Sequence, residues 1–311
     1  MEVRFSRRYV IRGAGALGIG GALSILGDGA ALAQGGPPAA GTYPEVVIIA
    51  RDMEFEMPAS FEGGWTTLTM DNQGPSDHHA IFPRVNDGSM IEDLHAALAL
   101  PEFGPVFGVA TSFGGPNVGP GVRGGVIVNL EPGSYLVICA IPDENGVPHY
   151  AMGMLAEIEV TEPAATLEAL VPDATVALVE MEFQGLPAEV SAGQHLWEIP
   201  DNGEQVHEIV IGQIAEGLTF DDIQAILRAG PPASPEATPV DVAEATPVAS
   251  SVTGPPPFES VAGTAPMSPG QTNYLVLDLT PGEHFAICFV PDPASGAPHF
   301  ALGMLMPFTV T

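Results

Sequence analysis

The chain has no lysine. Its eight basic residues are all arginine and face 38 acidic ones, for a formal charge of −30 over 311 residues. Such an acidic surface repels phosphates, which argues against DNA or RNA as a partner. It favours a basic protein face, chiefly through encounter rate, with plain solubility as the alternative use of the charge. Cysteine is scarce as well. Cys139 and Cys288 lie 149 positions apart, which is no disulfide framework, so two unpaired thiols need another reason to be there. Beyond the N-terminus no run is long and apolar enough to span a membrane, which takes about 20 strongly apolar residues. No His-x-His pair occurs, and no Ser/His/Asp set, phosphate-cradling loop or carboxylate pair stands out, so no catalytic residues are assigned.

Apolar residues make up 46% of the chain, enough to bury real cores, and Gly 37 with Pro 32 points to many turns. That balance suits β-rich domains better than helix bundles. Residues 1–33 follow the plan of an export signal. Arg4, Arg7, Arg8 and Arg12 precede a Gly/Ala-rich apolar stretch ending in Ala31-Leu32-Ala33, a small-x-small cleavage pattern. Ser6-Arg7-Arg8 resembles a twin-arginine signal, which would place the mature chain in the periplasm, outside the cell or at its surface. The alternative is an uncleaved anchor, against which five glycines and Asp28 dilute the run.

The chain also contains itself twice. The segment 120–143 (PGVRGGVIVNLEPGSYLVICAIPD) pairs with 269–292 (PGQTNYLVLDLTPGEHFAICFVPD), and GVPHYAMGML pairs with GAPHFALGML. The offset is 149 at the cysteines and 150 at the following His and Met; setting His79 against His207 gives 128. The second copy therefore carries about twenty extra residues. They fall in a Pro/Ala/Thr-rich insertion at 229–257 that reads as extended or disordered. The expected organisation is a signal at 1–33, a linker at 34–44, one domain at 45–163 and a second at 164–311. Strands are expected at 45–50, 65–70, 79–83, 125–130, 134–140 and 154–160, then at 206–211, 273–279, 284–290 and 303–310. One short helix per copy is expected, near 90–98 and 220–228.

Each copy offers an upstream His, a Cys at a strand end, a second His and a Met five further. The sets are His79, Cys139, His149, Met154 and His207, Cys288, His299, Met304. Two imidazoles and a thiolate with a weak axial thioether suit copper, since soft sulfur favours Cu(I) and nitrogen tolerates Cu(II). Zinc fits less well, because it prefers a closed tetrahedron without a thioether. The plainer reading is a small apolar residue filling a core strand. Recurrence of three residue types in the same order, twice, is harder to explain by packing. His78 could replace His79, but aligning His79-Ala80-Ile81 with His207-Glu208-Ile209 favours His79. Met152 could replace Met154, but its counterpart is Leu302. His95, His195 and His284 have no histidine counterparts and are read as surface or strand residues.

On Cys139…Pro148-His149-x4-Met154 and Cys288…Pro298-His299-x4-Met304, with Asn72…His79 and Asn202…His207 upstream, the sequence resembles the cupredoxin family. The resemblance implies an all-β fold of two tandem Greek-key β-sandwich domains, and at most one type 1 copper per domain. It departs from the small plastocyanins in a longer Cys-to-His gap, with nine intervening residues in one copy and ten in the other. Cys139 is flanked by Ile138 and Ala140, and Cys288 by Ile287 and Phe289, so the flanking His of multicopper oxidases and nitrite reductases is missing. An electron carrier with a basic redox partner is therefore expected rather than an enzyme. Copper sequestration or delivery, and a metal-free interaction module, are the alternatives.

Overall fold

The first strand, Glu45–Arg51, is an apolar run between two charged ends; its alternate residues Val46, Ile48 and Ala50 point into the core while its ends face water. The same logic runs through a computed structural model that describes residues 43–100, 103–167, 170–229 and 256–311. The expected signal, most of the 34–44 linker and nearly all of the 229–257 insertion lie outside the described residues. The protein is an all-β sandwich with short helices.

One seven-stranded sheet runs in the order Ala174–Thr175, Gly193–Pro200, Thr272–Leu279, Arg123–Leu130, Gly64–Asn72, Glu45–Arg51, Glu54–Glu56. Its middle joins the repeats. Thr272–Leu279 and Arg123–Leu130 are equivalent strands, antiparallel to each other, with Leu275 paired to Val126. These two residues also correspond between the copies, being 149 apart, so a local two-fold passes through their pair. Trp65 of the first repeat meets Tyr274 of the second edge-on, ring centres 5.4 Å apart.

A second seam forms where Phe258–Thr264 pairs with Pro116–Val118, through Gly263 with Asn117 and Thr264 with Pro116. Here the fully buried Asn273 donates to Phe113 O (2.8 Å) and accepts from Gly115 N (3.0 Å), and Ser112 Oγ donates to Pro266 O (2.6 Å). Burial demands partners for these polar groups, and the neighbouring repeat supplies them. The two repeats thus share sheets, where the sequence predicted strands within each copy only. Phe258–Thr264, which makes the second of these seams, and Gly193–Pro200 are strands the sequence reading leaves out.

The cysteine strands are buried on both faces. Along Gly133–Ile138 and the next residue, Tyr135, Val137 and Cys139 face the main core, while Leu136 and Ile138 face Leu94, Ala97 and Leu98 of the helix Ile91–Leu98. In the second repeat Ala286 and Cys288 face the main core, and Phe285 and Ile287 face Ile223 and Leu227 of the helix Phe220–Ala229. Both helices begin with the capping expected of their first-turn acids. Asp93 accepts from Met90 N (2.8 Å), and Asp222 exchanges bonds with Thr219. The predicted strand 79–83 is broken up. His78–His79 pairs with Pro116–Val118, Ile81 bridges to Ile138, and Pro83–Val85 pairs between Gly133–Ile138 and Ala110–Ser112 in a separate five-stranded sheet, so this segment passes from one sheet to another. Likewise 206–211 becomes the strand Val210–Ile214, preceded by a bridge from His207 to Met267.

Because hydrogen-bonded sheets span both repeats, unfolding is expected to be one cooperative transition. Leu275→Ala, which empties a fully buried site on the seam, should cost about 2–5 kcal/mol in urea titration and still give a single midpoint. Two separated transitions would contradict the shared sheets.

Candidate metal centre

Cys139 closes its strand by donating its backbone N–H to Met154 O (3.2 Å). Strand parity aims its side chain inward. The chain then makes a tight turn stabilised by Asp143, which accepts from Asn145 N (2.9 Å) and Val147 N (2.8 Å). Pro142 bridges to Pro148, and His149 N donates to Ile141 O (2.9 Å), which brings the histidine back beside the cysteine. One short helical turn, His149–Met152, ends at Gly153 with φ +112°, a left-handed conformation that suits glycine. Met154 N then donates to His149 O (3.0 Å). The second repeat copies this path. Asp292 organises its longer turn through Ser295, Pro291 bridges to Pro298, His299 N donates to Val290 O, and Met304 N donates to His299 O. The long Cys-to-His gap is therefore taken up by a turn, and the extra residue of the second copy falls inside it.

The upstream histidine comes from His78–His79, and adjacent residues of a strand face opposite ways. His78, not His79, meets the cysteine. Its Nδ1 lies 3.8 Å from Cys139 Sγ and 3.2 Å from His149 Nδ1, and His149 Nδ1 lies 3.4 Å from Sγ. All three side chains are buried. His79 instead accepts a hydrogen bond from Ala140 N at Nε2 (2.7 Å), so that lone pair is taken by the backbone. This corrects the choice of His79. The repeat alignment explains the slip, because matching His79-Ala80-Ile81 to His207-Glu208-Ile209 sets an offset of 128. Leu68 pairs with Val126 and Trp197 with Leu275, which sets the upstream offset at 129. Asn72 then matches Asp201, Gly74 matches Gly203, and His78 matches His207. Glu208 matches His79 and does the same job, accepting from Phe289 N (3.1 Å) as His79 accepts from Ala140 N. The glycines of the two upstream loops, rather than the Asp-Asn pairs, carry the correct register.

Asn72 holds the loop that presents His78. Its amide donates to Ser76 O (2.8 Å), Val118 O (3.2 Å) and Gly119 O (3.0 Å) and accepts from Gly74 N (2.9 Å). Burial, then the nearby His149, lowers the His78 pKa to about 4, and burial also lowers that of His149. Burial, then its two histidine neighbours, lowers His79 to about 3. Burial pushes the Cys139 thiol up to about 12. At neutral pH the metal-free site thus holds neutral imidazoles and a thiol, and Nε2 of His78 has no partner. Met154 is fully buried in the same core cluster as Cys139, while Met152 is 38% exposed.

In the second repeat Cys288 Sγ lies 3.5 Å from His299 Nδ1, and Met304 is buried in the same cluster as Cys288. The His207 and His299 ring centres are 4.9 Å apart, close to the 5.0 Å of His78 and His149. Nevertheless, His78, Cys139 and His149 are the one group among the described residues whose donor atoms all lie within 4.8 Å of each other. Burial, then the nearby His207, lowers His299 to about 4. The Cys288 thiol is raised well above its ordinary value, mainly by burial and next by Glu208. Of the remaining histidines, His95 pairs with Glu157 (2.8 Å) and His195 contacts Ser191 O (2.8 Å), both partly exposed. His284 is a strand residue, in Gly282–Ile287, where it is fully buried and stacks on Phe308.

A buried donor set of two imidazole nitrogens and one thiol sulfur fits a soft or borderline transition metal, with a thioether held in the same core. Neither thiol should react with a disulfide reagent in the folded chain at pH 8, and both should react in denaturant. A native thiol that titrates would contradict the buried placement.

No family model matches the chain, and no curated protein matches it. Among solved structures, it overlaps dithionite-reduced auracyanin from Roseiflexus castenholzii at 21% identity, covering 44% of this chain and 94% of that one, with a TM-score of 0.28. Auracyanin A from Chloroflexus aurantiacus, a "blue" copper protein, overlaps at 20% identity over 44% and 99% of the two chains, with a TM-score of 0.25. A copper-containing nitrite reductase from Thermus scotoductus overlaps at 11% identity over 86% and 61%, with a TM-score of 0.23. These scores are low, and the fold and the site stand on the pairings and distances above.

Proposed function

We propose that the protein is an exported, non-enzymatic copper-binding electron carrier with a type 1 centre in the first repeat and a related site in the second. The observation that carries this reading is the buried cluster of His78 Nδ1, His149 Nδ1 and Cys139 Sγ, 3.2 to 3.8 Å apart. The cupredoxin-like order of Cys, His and Met in both repeats supports it, with Met154 and Met304 as the thioethers. Copper bound there would supply a one-electron couple.

The chain's own residues do the rest. Burial excludes water from the donors. Asn72, Asp143 and the Cys139–Met154 backbone bond hold them in place, so little needs to rearrange when charge changes. His79 and Glu208 stay outside the donor set as supports for the backbone after each cysteine. No His flanks either cysteine to serve a second copper, in keeping with a carrier rather than an oxidase or reductase. The acidic surface suits a redox partner with a basic docking face. The Arg7-Arg8 signal suits export, and no described helix is long and apolar enough to cross a membrane.

Copper(II) added to the reduced-thiol protein should give an intense thiolate-to-copper visible band that bleaches and returns over repeated reduction and oxidation. Cys139→Ser should remove most of the intensity. Tight copper(I) binding without a reversible couple would point instead to sequestration or delivery. No copper retained in either oxidation state would leave a metal-free interaction module.

A further inference from the structure

The backbone around the two cysteines is the same, but the groups behind the upstream histidines are not. Asn72 of the first repeat is Asp201 in the second. Asn72 makes no hydrogen bond to His78; its amide N–H groups are spent on Ser76 O, Val118 O and Gly119 O. A carboxylate has no donor for those carbonyls and can only accept. Asp201, fully buried, accepts from Gly203 N (3.1 Å) and His207 N (3.2 Å), and its Oδ1 lies 3.2 Å from His207 Nδ1.

That last contact fixes a proton. With a carboxylate as acceptor, His207 must carry its hydrogen on Nδ1, and a protonated ring nitrogen has no lone pair for a metal. The lone pair is left on Nε2, which is fully buried and has no partner. His299 is set the other way. Its Nε2 meets Gln205 Oε1 (3.1 Å), whose own amide is tied to Asp292 Oδ1 (3.2 Å), so Nδ1 is the free nitrogen and faces Cys288 Sγ. The second repeat therefore has one histidine whose Nδ1 faces Sγ, as the Nδ1 atoms of both histidines do in the first repeat, and one held away by a carboxylate.

We propose that Asp201 is a positioning residue that makes the two sites unequal: it holds His207 by Nδ1, leaves the second donor set unassembled, and makes the second repeat the weaker copper site. This rests on the copper reading above. Binding through Nδ1 would require His207 to give up a hydrogen bond to a buried carboxylate, which weakens the site by roughly tenfold to a hundredfold.

The test uses the full chain. In Cys288→Ser the first site remains, and in Cys139→Ser the second. Copper(II) affinity is measured in each by competition with a chelator. The second site should bind at least about tenfold more weakly, and Asp201→Asn should tighten it by about tenfold while leaving the first site unchanged. Equal affinities, or no gain from Asp201→Asn, would overturn the proposal. A metal-free readout keeps it separable from the copper reading. Nitrogen NMR of the unmetallated wild-type chain should show His207 as the Nδ1–H tautomer, with a slowly exchanging ring proton. If neither variant binds copper, the copper reading fails, and the NMR tautomer alone decides the role of Asp201. An Nε2–H His207 would then refute it.

Discussion

Each cysteine is aimed by a strand that is buried on both faces. Period-two alternation puts Tyr135, Val137 and Cys139 on one side of Gly133–Ile138 and its extension, and a helix covers Leu136 and Ile138 on the other. Without the helices Ile91–Leu98 and Phe220–Ala229, the outer face of each cysteine strand would lie open to water. With them, each thiol sits at the end of a strand fixed from both sides. The return loop, closed by a proline bridge and a carboxylate-centred turn, then has one place to deliver its histidine.

The upstream histidines depend on a different constraint, the seam between repeats. His78–His79 pairs with Pro116–Val118, the same short strand that pairs with Phe258–Thr264 of the second repeat. His207 pairs with Met267, which bridges in turn to Phe113 of the first. The strands that present both upstream histidines are thus hydrogen-bonded into the junction. A repeat that folded alone would lack part of the scaffold for its own site.

The duplication and the alternation of short apolar strands made the fold class and the Cys–His–Met order legible, because these are local patterns repeated at a fixed offset. Two adjacent histidines defeated the sequence. A one-residue slip reverses which of His78 and His79 faces inward, and register is set by pairing partners that a single strand does not reveal. The match of His79-Ala80-Ile81 to His207-Glu208-Ile209 pulled the alignment to that slip, while Gly74 and Gly203 mark the true register. The exchange of strands between repeats was hidden for a similar reason, since nothing within Thr272–Leu279 announces that its neighbour is its own counterpart. Asp201 was hidden by a second false match, of Asp201-Asn202 to Asp71-Asn72 at an offset of 130. Only once it stands opposite Asn72 does the swap of an amide for a carboxylate become visible.

The central claim is that His78, Cys139 and His149 form a metal site while His79 serves the backbone. A crystal structure of the copper-loaded protein, with anomalous scattering recorded at the copper edge, tests it most directly. The account predicts a peak bonded to Cys139 Sγ and to Nδ1 of both His78 and His149, with His79 Nε2 still accepting from Ala140 N. A peak bonded to His79, or no peak beside Cys139, would contradict it.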